Sequence, residues 1–179
     1  MHAFTFHEPT FNVVTYICNV RIEDHLAQPR FEDDAQKLHM HILVVARQLD
    51  LLLRRILKPH GVTPPQYNVL RILRGQKGQP IAVHSLAARM VDPSSNTSRI
   101  VDKLVDKGWA DRRVCPEDRR RANVSITPLG MTLLDGLDAP VHSVFQTAMA
   151  SLSSSTLDTM NAGLAEVLND TDNIISTQP

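Results

Sequence analysis

Six consecutive residues near the middle of the chain carry side chains suited to reading nucleic-acid bases. Asparagine can pair with adenine through two hydrogen bonds, arginine can do the same with guanine, and hydroxyl groups can bind phosphate oxygens. No large apolar side chain interrupts the run, although one would be usual in the first turn of a core helix. The run therefore indicates either a base-reading helix start or an exposed helix start rich in capping residues. It consists of Ser94, Ser95, Asn96, Thr97, Ser98 and Arg99.

A second polar feature follows further along the chain, where Arg119, Arg120 and Arg121 are consecutive and Asp118 precedes them. Extended segments are predicted on both sides of these residues, over 109–114 and 122–126, so the arginines should lie at the tip of a hairpin. A ribbon of this kind can place arginines in a narrow minor groove. Asp118 can hold one of them through a bidentate contact. An arginine-rich solvated loop is the alternative interpretation.

Charge is distributed unevenly along the chain. The totals are 19 basic and 19 acidic residues, so the formal net charge is zero. Residues 61–121 nevertheless hold 12 basic and 6 acidic residues, whereas residues 131–179 hold 6 acidic residues and no lysine or arginine. Such asymmetry is typical of a chain with a polyanion-binding segment. A random excursion in surface charge would give the same counts.

The elements that must position these side chains can be predicted from apolar spacing. A stripe with helical spacing predicts a helix over about 32–57, and a second helix begins at Thr63 and ends near Gly75. A short helix around Leu86, a turn, and a helix over about 94–107 that ends at Gly108 together form a helix-turn-helix. The stripe of the first helix consists of Leu38, Ile42, Val45, Leu49, Leu52 and Ile56.

The two ends of the chain give weaker signals. Alternating apolar residues over 14–22 suit a strand, although Ile17 breaks the pattern. A disordered or irregular extension, or a segment that packs on a dimer mate, is the alternative. After the hairpin, Thr127 and the following proline begin a helix, in which Gly136 and Pro140 predict a kink. A last helix follows, and its polar end from Asp170 is expected to fray.

Composition limits the class of protein. Hydrophobic residues make up 42% of the chain and charged residues 21%, which is ordinary for a globular domain. No apolar run reaches the roughly 18 residues that a membrane-spanning helix needs, and the N-terminus lacks a secretory signal. The two cysteines, Cys18 and Cys115, do not form a disulfide framework. A cytoplasmic protein without membrane contact is therefore expected.

No catalytic residue, metal site or cofactor is predicted. Cys115 with His84 or His142 as its base would form a nucleophilic site, but the chain carries no nucleophile motif and no glycine-rich phosphate loop. The histidines are too scattered to predict converging metal ligands. An enzyme is therefore not expected, and a redox-sensing Cys115 is an alternative to a cysteine without function.

The order of these features resembles the MarR family of winged helix-turn-helix transcriptional regulators. The resemblance covers residues 32–168, and it is most specific over residues 89–130, where spacing and residue type both agree. Residues 1–31 precede the usual start of the family's first helix, and Arg121 stands where a small or apolar residue is commoner. The matching motifs lie at 65–70, 86–87, 94–104, 107–109, 118–120 and 124–130.

The resemblance implies a mainly α fold with a small β-hairpin wing, and a homodimer that binds double-stranded DNA. Two-fold symmetry then predicts a pseudo-palindromic operator. Repression is the commoner outcome that the resemblance implies. The organisation predicted is an N-terminal extension over 1–31, a dimerisation helix over 32–62, a winged helix-turn-helix domain over 63–126, C-terminal dimerisation helices over 127–170 and a tail over 171–179.

The resemblance also implies roles for individual residues. Residues 94–99 match the positions that enter the major groove, Arg120 matches the wing-tip arginine inserted in the minor groove, and Asp118 matches the aspartate that orients the wing. Arg119 and Arg121 beside it are further DNA-binding candidates. Small-molecule sensing is the family's usual role, and a small aromatic or phenolic effector is the candidate ligand; a regulator without an effector is the alternative. A winged-helix module for protein contacts, without specific DNA binding, is the alternative function. The candidates for lining an effector pocket are His41, Arg47, Tyr67 and Arg71.

Overall fold

A computed structural model describes residues 21–93, 95–114 and 122–177. It confirms the predicted fold class, because the described chain is mainly helical and has one small antiparallel sheet. Two compact units are present, residues 1–46 and residues 47–179. The elements in chain order are α1 (Ile22–Leu26), α2 (Asp34–Leu57), a 3-10 turn (Lys58–His60), α3 (Pro64–Gly75), β1 (Ile81–Ala82), α4 (Val83–Ala87), α5 (Thr97–Asp106), β2 (Ala110–Val114), β3 (Ala122–Ile126), α6 (Pro128–Ala148) and α7 (Ser154–Thr177).

In the first unit, the prediction of a strand over 14–22 is wrong at its last residue, Ile22. Ile22 begins the short helix α1, because the amides of Asp24 and His25 both donate to the carbonyl of Arg21 at 3.1 Å. Residues 14–20 lie outside the described residues. The Lys37 ammonium donates to Glu23 at 2.8 Å, and this hydrogen bond lowers the pKa of the Glu23 carboxyl to about 2.

In the second unit, α3 begins with a capping box. The Thr63 hydroxyl accepts from the amide of Gln66, and the Gln66 side chain accepts from the amide of Thr63. This reciprocal cap fixes the start of α3 where the sequence predicts it. The side chains of Leu70 and Leu73 are buried on its inner face.

The helix-turn-helix is present, but its second helix starts later than predicted. The Asn96 side chain accepts from the amide of Arg99 at 3.1 Å, so Asn96 is the capping residue and α5 begins at Thr97 rather than at Ser94. The other end confirms the prediction, because Gly108 has φ of +70°. The amide of Gly108 donates to Val105 at 2.8 Å and that of Trp109 to Leu104 at 2.9 Å, which is the hydrogen-bond pattern of a Schellman cap.

The sheet has the strand order β1-β3-β2, and both pairs are antiparallel. In β1, Ile81 pairs with Val124. The β2–β3 ladder begins at Ala110 opposite Ile126 and ends at Val114 opposite Ala122. The predicted strands at 109–114 and 122–126 are therefore confirmed.

One hydrophobic core joins the elements of the second unit. Large side chains with at most 1% exposure come from the end of α2, from α3, α4 and α5, and from α6. Apolar burial of this kind is the main force that holds such elements together. The largest members are Leu57, Leu70, Leu73, Leu86, Leu104, Leu134 and Leu137.

The last two helices differ in their surroundings. Helix α6 buries Leu134, Leu137 and Val141, and it contains Pro140 and the exposed Gly136. Helix α7 has 24 residues, none of them buried. The expected fraying from Asp170 is wrong, because the helix continues to Thr177 and no glycine or proline interrupts residues 164–177. Among the helices described, none is long and apolar enough to span a membrane.

An ion pair joins α3 to α6. The Arg74 guanidinium donates to both carboxylate oxygens of Asp138, at 2.7 and 2.8 Å, and lies 3.5 Å from Asp135. These hydrogen bonds lower the pKa of the Asp138 carboxyl and raise that of Arg74. The Asp138 side chain is 45% exposed, so solvent screening limits what the pair contributes to stability.

We expect Asp138→Asn to lower the free energy of unfolding by about 1 kcal/mol at pH 7. A carboxyl whose pKa is lowered in the folded state stabilises it above the pKa of the unfolded chain, and this contribution is lost as the pH falls. The difference from the parent protein should therefore shrink below about pH 4. Urea denaturation at pH 7 and below about pH 4 measures the difference in the free energy of unfolding. Asp135→Asn is the control, and an equal effect of the two substitutions would contradict the prediction.

Candidate nucleic-acid interface

The start of α5 presents a polar surface to solvent. Asn96 and Arg99 are exposed, Ser95 and Ser98 are half-buried, and Ser94 lies outside the described residues. Thr97 differs from the other predicted reading residues, because its side chain is 5% exposed and its hydroxyl donates to the carbonyl of Ser95. Among the described residues of this run, the exposed side chains are therefore those of Asn96 and Arg99.

The turn before α5 is held by α3. The Asn68 side chain accepts from the amide of Val91 at 3.0 Å, and the Ser95 hydroxyl donates to Asp92 at 3.1 Å. Sequence analysis missed the role of Asn68, because a single polar residue on a helix gives no signal of its partner. The position of the first residues of α5 thus depends on α3.

An ion pair connects α5 to the sheet. Asp102 in the middle of α5 accepts a hydrogen bond from the guanidinium of Arg112 on β2. Charge-assisted hydrogen bonds of this kind fix the geometry of the groups that they join. Sequence analysis missed this pair as well, since opposite charges on two elements do not show which of them meet. The ion pair therefore links α5 directly to β2, the strand that precedes residues 115–121.

The far end of α5 is tied to the start of α6. The Thr127 hydroxyl donates to the carbonyl of Gly108 at 2.7 Å and accepts from the amide of Gly130 at 3.0 Å. The Lys107 ammonium donates to the carbonyl of Gly61 at 2.6 Å and lies 4.6 Å from the centre of the Trp109 ring. Hydrogen bonds therefore fix both ends of α5 to the rest of the domain.

The wing tip itself cannot be compared with its prediction. Asp118, Cys115 and the arginines Arg119, Arg120 and Arg121 lie outside the described residues. The described part of the hairpin presents Asp111, Arg112 and Arg113 as exposed side chains on β2. The roles assigned to the tip residues stay predictions.

A cleft of about 590 Å³ opens between α2, α3 and the turn before α5. Two of the four predicted pocket residues line it, Tyr67 and Arg71, and the Arg71 guanidinium donates to the Tyr67 hydroxyl at 3.0 Å. Arg47 is outside the lining but donates to Asp50, which belongs to it. His41 lies in the first unit, where its ring is 3.0 Å from the carbonyl of Lys37. The apolar lining consists of Leu49, Leu53, Pro64, Pro65, Met90, Val91 and Phe145.

Residues 60–121 match the sequence model of the MarR family. The chain is 25% identical over 167 residues to the transcriptional repressor MprA of Escherichia coli strain K12, with 92% of each chain covered. It is 26% identical to a mutant MarR from E. coli complexed with operator DNA, with a TM-score of 0.65 over 78% of this chain and 99% of that one. A MarR-like transcription regulator from Bacillus cereus shares the fold at 16% identity, with a TM-score of 0.69 over 76% and 97% of the chains. Over residues 60–121 the chain is similar to the MarR family, and its fold is that of solved MarR-like winged helix-turn-helix proteins.

Proposed function

We propose that this protein is a transcriptional regulator that represses by binding a DNA operator as a homodimer. The observation that carries the proposal is the exposed polar start of α5, which the Asp102–Arg112 ion pair joins to the strand leading to an arginine-rich wing tip. The excess of basic residues over 61–121 supports a polyanionic partner. The likeness to a relative solved with operator DNA supports it further.

In this proposal α5 enters the major groove with its N-terminal residues facing the bases. The Arg99 guanidinium has the geometry for two hydrogen bonds to guanine, while Ser95 and Ser98 offer hydroxyls to bases or phosphates. Arg120 at the wing tip enters the adjacent minor groove, and Asp118 orients it. The bound dimer then blocks access of the transcription machinery to the same DNA.

A second copy of the chain is proposed to cover α7. The helix has no buried residue, and its exposed Met160, Leu164, Val167 and Leu168 lie on one face. Uncovered apolar faces of this length are typical of protein interfaces. The exposed Leu38 and Val45 of α2 offer further apolar surface. Two copies related by a two-fold axis would place their reading helices on half-sites about one turn of DNA apart.

A small aromatic or phenolic effector is proposed for the cleft that Tyr67 and Arg71 line. The lining is largely apolar, and the Tyr67 hydroxyl and the Arg71 guanidinium offer hydrogen bonds to a polar substituent. Val91 and Ser95, which lie in the segment just before α5, also line this cleft. A bound molecule would therefore contact the turn that Asn68 holds, and we propose that it releases the protein from DNA by shifting that turn.

Fluorescence anisotropy with a labelled duplex from the DNA upstream of the protein's own gene tests the proposal. A scrambled duplex of the same composition and a second salt concentration complete the measurement. Tight, salt-sensitive binding with preference for the upstream duplex is the expected result, and Arg120→Ala should weaken it. If a folded dimer binds neither duplex even at low salt, the DNA-binding function is wrong and a module for protein contacts takes its place.

Arg99→Ala should weaken binding to the upstream duplex by about 5- to 150-fold, because one bidentate contact with a base contributes about 1–3 kcal/mol of discrimination. Binding to the scrambled duplex should change much less. Arg55→Ala is the matched control, since Arg55 is an exposed arginine on α2, outside the reading segment. Equal losses on the two duplexes would show that Arg99 contacts phosphate rather than bases.

A further inference from the structure

A second cleft, of about 460 Å³, lies between the start of α5 and the base of the wing. Helix α4 contributes His84 to its lining, the start of α5 contributes Ser95 and Ser98, and β2 contributes Arg112. We call it the strand cleft and define it by these four residues. It is separate from the larger cleft that Tyr67 and Arg71 line, although Ser95 borders both.

The chemistry of the strand cleft suits an anion with several oxygen atoms. The ionisable side chains that line it, among the described residues, are His84 and Arg112, and no carboxylate is part of that lining. Ser98 adds a hydroxyl group, whereas the Ser95 hydroxyl donates to Asp92. Arg112 is held in place by Asp102, which lies outside the cleft, so its guanidinium is positioned before any ligand arrives. Phosphate oxygens are the acceptors that such a set of donors binds best.

The position of the cleft indicates which phosphate group of a bound DNA would reach it. A major groove and the adjacent minor groove are separated by one sugar–phosphate strand. A protein that puts a helix in the first and a hairpin tip in the second must therefore accommodate that strand between the two elements. We propose that the strand cleft binds a phosphate of this strand, with His84 and Arg112 as the charged donors. The proposal rests on the proposed DNA-binding function.

This assignment makes DNA binding depend on pH. Histidine gains and loses its charge near neutral pH, and a phosphate stabilises the protonated ring. The charged side chain that shares the cleft with His84 is Arg112 on β2, and the Ser85 hydroxyl lies 3.2 Å from Nε2 of the His84 ring. Affinity for DNA should therefore rise as the pH falls from 8 to 6, and the His84 side chain should account for the difference.

The test uses His84→Gln in the full-length protein. Glutamine keeps a hydrogen-bond donor but cannot acquire a charge, and His84 is exposed, so the variant should fold normally. At pH 6 we expect binding to the upstream duplex and to the scrambled duplex to weaken about threefold to tenfold. The slope of log affinity against log salt should fall by about 0.9, as expected for one lost phosphate contact. At pH 8 the variant and the parent protein should bind alike.

His60→Gln is the matched control, because His60 is an exposed histidine on the 3-10 turn after α2, outside the strand cleft. It should keep the parent pH dependence. If His84→Gln binds as the parent does at both pH values, the phosphate assignment is overturned while the DNA-binding function stands. A loss confined to the upstream duplex with an unchanged salt slope also overturns it, because that pattern indicates a base contact. If the parent protein itself binds neither duplex, the proposed function fails.

Discussion

Replacing Leu164 and Leu168 together with aspartate is expected to leave a folded monomer that binds operator DNA about 100-fold more weakly, or worse. The two leucines are exposed on the apolar face of α7, and the core of the second unit draws no side chain from that helix. Charges on this face would prevent a second copy from covering it. The two reading helices would then bind DNA independently, and the gain of about 10² to 10⁴ from linking two binding events would be lost.

Light scattering coupled to gel filtration measures the mass, and anisotropy measures the affinity. The matched control is Asn169→Asp with Asn173→Asp, which adds the same charge at the same spacing on the opposite side of α7. The control should remain a dimer with parent affinity. A persistent dimer in the leucine variant would show that α7 is not the interface. A monomer with full affinity would show that DNA binding does not depend on two copies.

Gly130→Ala is expected to lower the free energy of unfolding by about 1–3 kcal/mol, the range for a side chain forced into occupied space. A Cβ at this position would lie 2.2 Å from the carbonyl oxygen of Trp109 and 2.9 Å from Ile126. The Trp109 carbonyl cannot move away easily, because it accepts a hydrogen bond from the amide of Thr127. The strain falls where the reading helix ends, so DNA affinity should fall with stability.

Urea denaturation followed by circular dichroism measures the change. Gly136→Ala is the control within the same helix, since nothing lies within 4 Å of its added Cβ. Alanine is a better helix former than glycine, so this control should raise stability by up to about 1 kcal/mol. Equal stabilities of the two variants would mean that the Gly130 backbone can shift away from Trp109 at little cost.

Local signals explain why the helix-turn-helix and the hairpin were predictable. Gly108 adopts a backbone conformation that disfavours other residues, and Thr63 and Thr127 cap helices directly before prolines. The start of α5 was less certain, because the stretch offers several capping residues in succession and only one can act. Thr97 shares the buried face of α5 with Val101 and Leu104, whereas Arg99 lies on the exposed face.

The contacts that organise the candidate interface were beyond sequence analysis. Arg112 is ten residues from Asp102, and Arg74 is 64 residues from Asp138. Each arginine had several acidic residues within reach in principle, and only the packed backbone decides which pair meets. At the N-terminal end, the alternating pattern up to Ile22 was too short to distinguish a strand from a one-turn helix.

The proline within α6 has a mechanical consequence. Pro140 lacks an amide hydrogen, so one backbone hydrogen bond of the helix is missing. It is the bond that the carbonyl of Gly136 would have accepted. The missing hydrogen bond makes the helix easiest to bend between these two residues, where Leu137 and Val141 pack in the core. In an assembly joined through α7, a small change of angle at this point would alter the distance between the two reading heads. Compliance here would let one protein accommodate operators whose half-sites are not identically spaced.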